Sequence, residues 1–269
     1  MTSFPAPAWL VGCGNMAGAM VEGWRSAAVD FEGVTIIRPS GTPVDGIRTV
    51  TDFPAGERPL FVMLGFKPQK LDEVTPGLAP HIGSDTVIVS MLAGVTAASL
   101  RERFPAARAI VRIMPNLPVA QRAGVTPLYG EDCDAEARDT VAGLMALLGL
   151  APWCLEEGQI AAIGAVSASG PAYFARFAEA IGHAAAGRGL DAALAQAIAA
   201  QTLVGTGAFA ADTGVSMAEI AHRVASPKGT TEQGLAVLDA PDGLRPLVDR
   251  MIGAALRRVE ELAEAARRD

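Results

Sequence analysis

Two short stretches of this chain carry groups suited to binding and chemistry: Gly12-Cys-Gly14-Asn-Met-Ala17 and Ser226-Pro-Lys-Gly229-Thr-Thr231. The first matches G-x-G-x-x-A. Placed between a strand and a helix, Gly12 would permit the tight turn, Gly14 would let the backbone approach a pyrophosphate, and Ala17 would let helix pack on strand. Unpaired N–H groups at the helix start would draw the anion. The plain alternative is a tight strand-to-helix turn without a ligand. The second stretch leads small residues and two hydroxyls into a helix, and so offers backbone N–H groups and side-chain oxygens to a carboxylate.

The strand expected to end at Ile37-Arg38-Pro39-Ser40 bears on which dinucleotide would fit. An acid there would accept from the ribose 2′-hydroxyl of NAD, whereas a guanidinium pairs with the 2′-phosphate of NADP and Ser40 can donate to it. NADP is therefore expected, unless Arg38 is only a solvated strand-end charge. Phe66-Lys67-Pro68-Gln69 and Met114-Pro-Asn116-Leu-Pro118 follow other expected strands at the same carboxyl edge, where doubly wound sheets bind ligands. Lys67 could steer a phosphate or a carboxylate. The paired prolines stiffen a loop that could support a nicotinamide.

Other chemistries are poorly provided for. His81, His183 and His222 are scattered, and no His/Cys/acid spacing suggests a metal or an activated nucleophile. Cys13, Cys133 and Cys154 are far apart and odd in number, which suits a reducing cytoplasm rather than a disulfide framework. With 22 Lys and Arg against 29 Asp and Glu the net charge is -7, so nucleic acid is not an expected partner. The first residues do not read as a signal peptide. Residues 192–211 are uncharged, but Gln196, Gln201, Thr202 and Thr206 would be costly in lipid, so a buried helix is expected there rather than a membrane span.

The elements that must position these residues divide the 269-residue chain in two. Up to about Leu155, short apolar runs (Trp9–Val11, Val34–Ile37, Leu60–Leu64, Thr86–Val89 and Arg108–Val111) alternate with helical stretches. Apolar runs without polar alternation suit parallel strands covered on both faces, which implies a doubly wound α/β sheet. Beyond Glu156 all periodicity is helical. There Ser169 is expected to cap a helix through Arg188, Asp191 to cap the uncharged helix, and Ser216 with Glu219 to form a capping box. The last helix carries an apolar stripe of Val248, Met251, Ile252, Ala255, Val259 and Leu262. The expected division is 1–156 for the dinucleotide domain and 157–269 for an all-α domain. Glycines spaced through the latter suggest a closely packed dimer.

Taken with Ser90-Met-Leu-Ala-Gly94 and Ser169-Gly-Pro-Ala-Tyr173, the stretches Val11–Ala17, Lys67–Gln69, Met114–Asn116 and Ser226–Thr231 closely resemble pyrroline-5-carboxylate reductase. The match is collinear from about Leu10 to Leu238, and its most specific parts are the Ser-Gly-Pro-Ala-Tyr and Ser-Pro-x-Gly-Thr-Thr segments. The resemblance implies a Rossmann domain followed by an α-helical dimerisation domain, with the active site between one subunit's cofactor and helices of both. It implies NADPH as cofactor, with NADH as an alternative, held by Gly12, Gly14, Asn15, Met16, Ala17, Arg38, Ser40, Phe66, Lys67, Pro68, Ala93 and Asn116. It places the substrate carboxylate on Ser226, Gly229 and Thr230 and the ring nitrogen at Thr231, which would be the catalytic residue. It implies hydride transfer to 1-pyrroline-5-carboxylate giving L-proline, in a homodimer that assembles further in some members into decamers, in the cytoplasm, without a metal or a membrane.

Gly164, Ala168 and Leu117 stand where that family more often has Thr, Gly and Thr, and Lys228 replaces a glycine. Were position 228 to need a positive φ, the lysine would cost about 1 kcal/mol or more. A preference for a related cyclic imino acid is one alternative, and a catalytically silent NADP-binding regulator is another. A β-hydroxyacid dehydrogenase, which shares the architecture, needs a lysine on a long helix of the second domain, and no lysine lies between Pro171 and Val224.

Overall fold

The computed structural model describes residues 3–265. The first of two compact units runs to Ala168 and also takes in the chain from Val259; the second is Ser169–Arg258. In the first unit the order is β1 (Ala8–Val11), α1 (Asn15–Ser26), β2 (Val34–Ile37), β3 (Arg48–Val50), β4 (Phe61–Leu64), α2 (Leu71–Leu78), β5 (Val87–Ser90), α3 (Ala97–Arg103), β6 (Ala109–Ile113), β7 (Gly124–Val125), β8 (Leu128–Tyr129), α4 (Ala135–Ala146), β9 (Gly149–Leu150) and α5 (Gln159–Ser167).

Seven strands form one sheet in the order β3-β2-β1-β4-β5-β6-β8. All neighbours are parallel except β6 and β8, which are antiparallel. Every residue of β1, β2, β4, β5 and β6 is buried, as their largely apolar composition suits, with Thr35, Ser90 and Arg112 the polar exceptions. Alternate residues feed two cores. Leu10, Ile36, Met63, Val89 and Val111 pack on one face with Trp24 of α1 and Leu144 of α4. Trp9, Val62, Leu64, Ile88 and Ile110 pack on the other with Leu71, Leu100 and Phe104. Burying each such side chain contributes about 1.5–3 kcal/mol. The indole N–H of Trp24 donates to the Leu144 carbonyl at 2.8 Å, which joins α1 to α4 without leaving a buried donor unpaired.

The doubly wound sheet expected from the sequence is present, with additions. β3 is only three residues long and not fully buried, so its apolar signal is faint. β8 reverses direction at the edge, and β7 and β9 pair separately.

The second unit contains α6 (Gly170–Ala186), α7 (Ala192–Thr213), α8 (Met217–Val224), α9 (Thr230–Leu238) and most of α10 (Leu244–Ala265). Two expected caps are present. Asp191 Oδ1 accepts from Leu194 N at 3.0 Å, and Ser216 Oγ from Glu219 N at 3.2 Å. The cap expected from Ser169 is not: its φ of -86° and ψ of -19° are helical, so its hydroxyl makes no capping bond and the N-terminus of α6 relies on Pro171 in its first turn. Nor is α7 buried as expected. Ala195 and Ala199 are buried, while Leu194, Ile198, Val204 and Phe209 are exposed. By length and composition α7 is also apolar enough to cross a membrane. Of the stripe expected on α10, Val259 and Leu262 fall outside the residues whose side chains are described.

Candidate active site

β1 delivers the chain to Gly12, whose φ is +82°; a Cβ there would sit 2.7 Å from the Gly65 carbonyl oxygen. Only glycine fits, for strain and for space. The turn is held by Gly12 N to Ile37 O and Gly65 N to Val11 O, both 2.8 Å. Gly14 is the N-cap of α1 in an extended conformation and offers no side-chain cap, and α1 has no acid in its first turn. A Cβ at Gly14 would meet nothing within 4 Å, so this face is open. The positive end of α1 and its first N–H groups, those of Asn15, Met16 and Ala17, thus face open space with no protein anion. Ala17 itself is buried beneath the turn. The cradle fits a pyrophosphate.

Past β2, the Arg38 guanidinium makes no hydrogen bond or ion pair among the described residues. Burial pushes the Cys13 thiol up, and the charges of Arg38 and Arg25 oppose that rise. Ser40 Oγ accepts from Thr42 N at 3.3 Å and Thr42 Oγ1 at 3.0 Å, which leaves the Ser40 proton free to donate to a phosphate. Past β4, Phe66 is half-buried against the core, Lys67 is exposed without a partner among the described residues, and Pro68 opens a short 3₁₀ turn. Past β5, Ala93 is exposed beside Gly94. Past β6, Asn116 is buried: its Nδ2 donates to Ser167 O and its Oδ1 accepts from Val125 N, both at 2.8 Å. The Asn116 amide therefore shapes the backbone around it, and its side chain is not an exposed contact.

All these residues follow the carboxyl ends of β1, β2, β4, β5 and β6. The residues expected to hold substrate lie in the second unit, at and before the start of α9. Gly229 is the N-cap, extended, with its N–H on Ser226 O at 2.9 Å; a Cβ on it would lie 2.8 Å from that carbonyl. Lys228 has φ +60°, so the condition under which a lysine there carries a strain cost is met. The Thr230 and Thr231 hydroxyls make no hydrogen bond among the described residues. Thr231 lines an apolar groove of about 530 Å³ with Phe177, Ile181, Leu235 and Leu238.

Sequence reasoning missed Glu232. Its carboxylate accepts the Lys228 N–H at 2.7 Å and pins the loop. Its place three residues after the N-cap is a signal that could have found it. It also missed Thr42, and the pairing of Arg112 with Glu157, for which one buried arginine inside an apolar strand is the only trace.

Burial pushes the Cys133 thiol up to about 11 and raises that of Cys154, so neither is a thiolate near neutral pH. Among the described residues no three His, Cys, Asp or Glu gather as a metal site.

A doubly wound sheet with an uncapped glycine turn, and past its second strand a cation unpaired among the described residues, has the form of a dinucleotide-binding domain. Comparison with known proteins is more specific. Residues 157–262 match the family model for pyrroline-5-carboxylate reductase dimerisation. The chain is 34% identical over 264 residues to the pyrroline-5-carboxylate reductase of Pseudomonas aeruginosa, covering 94% of this chain and 96% of that one. It superposes on the solved pyrroline-5-carboxylate reductase of Coxiella burnetii with a TM-score of 0.87 at 32% identity, over 96% of this chain and 98% of the other. The Plasmodium falciparum enzyme, solved with NADP bound, shares the fold at 20% identity, with a TM-score of 0.77 over 95% and 97%. This chain belongs to the pyrroline-5-carboxylate reductase family.

Proposed function

We propose that the chain reduces 1-pyrroline-5-carboxylate to L-proline with NADPH, the final step of proline synthesis. The observation that carries the reading is the joint presence of an open, uncapped α1 N-terminus and a hydroxyl-bearing loop at α9 in a chain of this family. When bound, the reduced nicotinamide supplies a hydride. Asn15, Met16 and Ala17 offer amides to its pyrophosphate, Arg38 and Ser40 take the 2′-phosphate, and Phe66, Lys67, Pro68, Ala93 and the Asn116 loop line the rest of the edge.

The substrate carboxylate rests on Ser226, Gly229 and Thr230. Thr231 directs its free hydroxyl to the ring nitrogen, in a groove whose other lining is apolar. A cyclic imine is already electrophilic when protonated, so the protein needs chiefly to orient it and to favour the iminium form. That demand is met without a histidine or an acid. The proton on nitrogen then comes through the Thr231 hydroxyl or from solvent.

The chain is placed in the cytoplasm, consistent with three free thiols. It forms an oligomer through its helical half, and we propose a homodimer that can build a decamer. We keep the division at 156/157 for this reading; by compactness the chain divides twelve residues later, after α5, and the first unit also takes in the chain from Val259.

Two measurements test the reading. NADPH absorbance should fall with 1-pyrroline-5-carboxylate and not without it, and proline should appear in equal amount; no fall would refute the function. Thr231→Ala should lower kcat about tenfold or more, as the loss of one hydrogen bond to a charged group does. Unchanged turnover removes the role of Thr231.

A further inference from the structure

Within the apolar run of β6, Arg112 is a cation where its neighbours are aliphatic. It is buried, and in the sheet it lies between Ser90 of β5 and Tyr129 of β8. Its Nη1 donates to Glu157 Oε1 at 2.8 Å, while its Nε is buried with no hydrogen-bond partner among the described residues. The same Glu157 oxygen accepts the backbone N–H of Ala97 at 2.7 Å, from 60 residues away in sequence.

Ala97 is the first residue of α3, a helix with no acid in its first turn. Thr96 caps only the Ser99 N–H. Glu157 therefore supplies from a distance the anion that α3 lacks at its positive end, and Arg112 holds that anion in place. Arg112 is buried and Glu157 partly exposed, and the orphaned Nε–H makes the pair a weak source of stability beside aliphatic side chains of the same volume.

What the pair does fix is the loop between β5 and α3. Its first part is tied by Met91 N to Leu64 O at 3.2 Å and by Leu92 N to Ser90 Oγ at 3.3 Å. Its last part is tied by Glu157 at Ala97. Between these ties, Ala93 and Gly94 (φ +77°) are exposed at the carboxyl edge, and their N–H groups make no hydrogen bond among the described residues.

We infer that Arg112 and Glu157 are positioning residues for nucleotide binding: by anchoring the first turn of α3 they hold the Ala93–Gly94 backbone in the conformation that meets the dinucleotide. The inference rests on reading this edge as the dinucleotide site. The loop faces parts common to both coenzymes, so disturbing the anchor weakens NADPH and NADH alike. Loss of Arg38, by contrast, falls on NADPH alone.

The test uses the full chain and reads nucleotide affinity by fluorescence titration, kcat at saturation, and hydrogen exchange at amides 91–97. Glu157→Ala is expected to raise Kd for both nucleotides about fivefold or more, as loss of a cap does. Its kcat at saturation should stay within about twofold and exchange at amides 91–97 should quicken. Glu157→Gln keeps an acceptor for the Ala97 N–H but not the charge that Arg112 holds, and is expected to lose less affinity than Glu157→Ala. Arg112→Lys keeps the charge but loses the planar donor, and is expected to fall between the two even if Glu157→Ala proves too unstable to purify. Parental affinity in both Glu157→Ala and Arg112→Lys overturns the inference. So does an equal loss in the Gln and Ala variants. A parent chain that binds neither nucleotide instead overturns the reading of the edge itself.

Discussion

The two units of this chain finish their cores in different ways. In the first, five strands are buried at every position and both faces of the sheet are covered by the unit's own helices. In the second, Phe174, Phe177, Ile181, Leu194, Ile198 and Val204 are left exposed, and α7 buries only two alanines. A 22-residue helix this bare, whose one charge is Asp212 near its end, is not a finished core, and it lies in the segment that matches a dimerisation domain. The contrast teaches that the glycine-turn edge is built within one chain, whereas the helices around the Ser226–Thr231 loop leave apolar surface for association.

The largest effect should come from attacking that surface. Ile198→Lys with Val204→Lys on α7 should weaken association about 100-fold or more, seen by sedimentation, and abolish imine reduction, because buried charges replace interface side chains. NADPH affinity should change less than about threefold. Equal loss of nucleotide binding would erase the distinction between the units.

Next, Arg38→Ala should raise the NADPH Kd about 10- to 100-fold, the worth of charge-assisted hydrogen bonds, and leave NADH within about threefold. Titration with both nucleotides decides it, and a similar loss for each would return Arg38 to an ordinary surface charge. The smallest effect is in the second unit. Lys228→Gly relieves a residue held at φ +60° and should stabilise the protein by about 1 kcal/mol in chemical denaturation. It should also raise KM for the imine a few-fold as a nearby positive charge is lost. Greater stability with an unchanged KM would leave the lysine without a part in binding.

The first unit was the more legible in sequence for the same reason that it is self-contained. Strands covered on both faces read as unbroken apolar runs, and a glycine turn reads as spacing. The short, half-exposed β3 left no such trace. Local chemistry read well where the partner was three residues away, as with Asp191 and Ser216. It misled at Ser169, where small residues around a proline resemble a cap but the backbone is already helical. Long-range pairing was invisible: nothing near Glu157 announces that it caps a helix 60 residues earlier, and nothing near Asn116 announces that its amide is engaged by Val125 and Ser167. The exposure of α7 was missed because an uncharged helix looks the same whether its cover comes from its own chain or from another.

The central claim is that a hydride passes from the coenzyme to the imine carbon of a five-membered ring. NADPH carrying deuterium at C4 of the nicotinamide, on the transferred face, tests it when turned over with 1-pyrroline-5-carboxylate and the product is analysed by mass spectrometry and NMR. The account predicts proline with a single deuterium at the ring carbon next to nitrogen that is remote from the carboxylate, one for each NADPH oxidised. Unlabelled proline, or label at the carbon bearing the carboxylate, would contradict it.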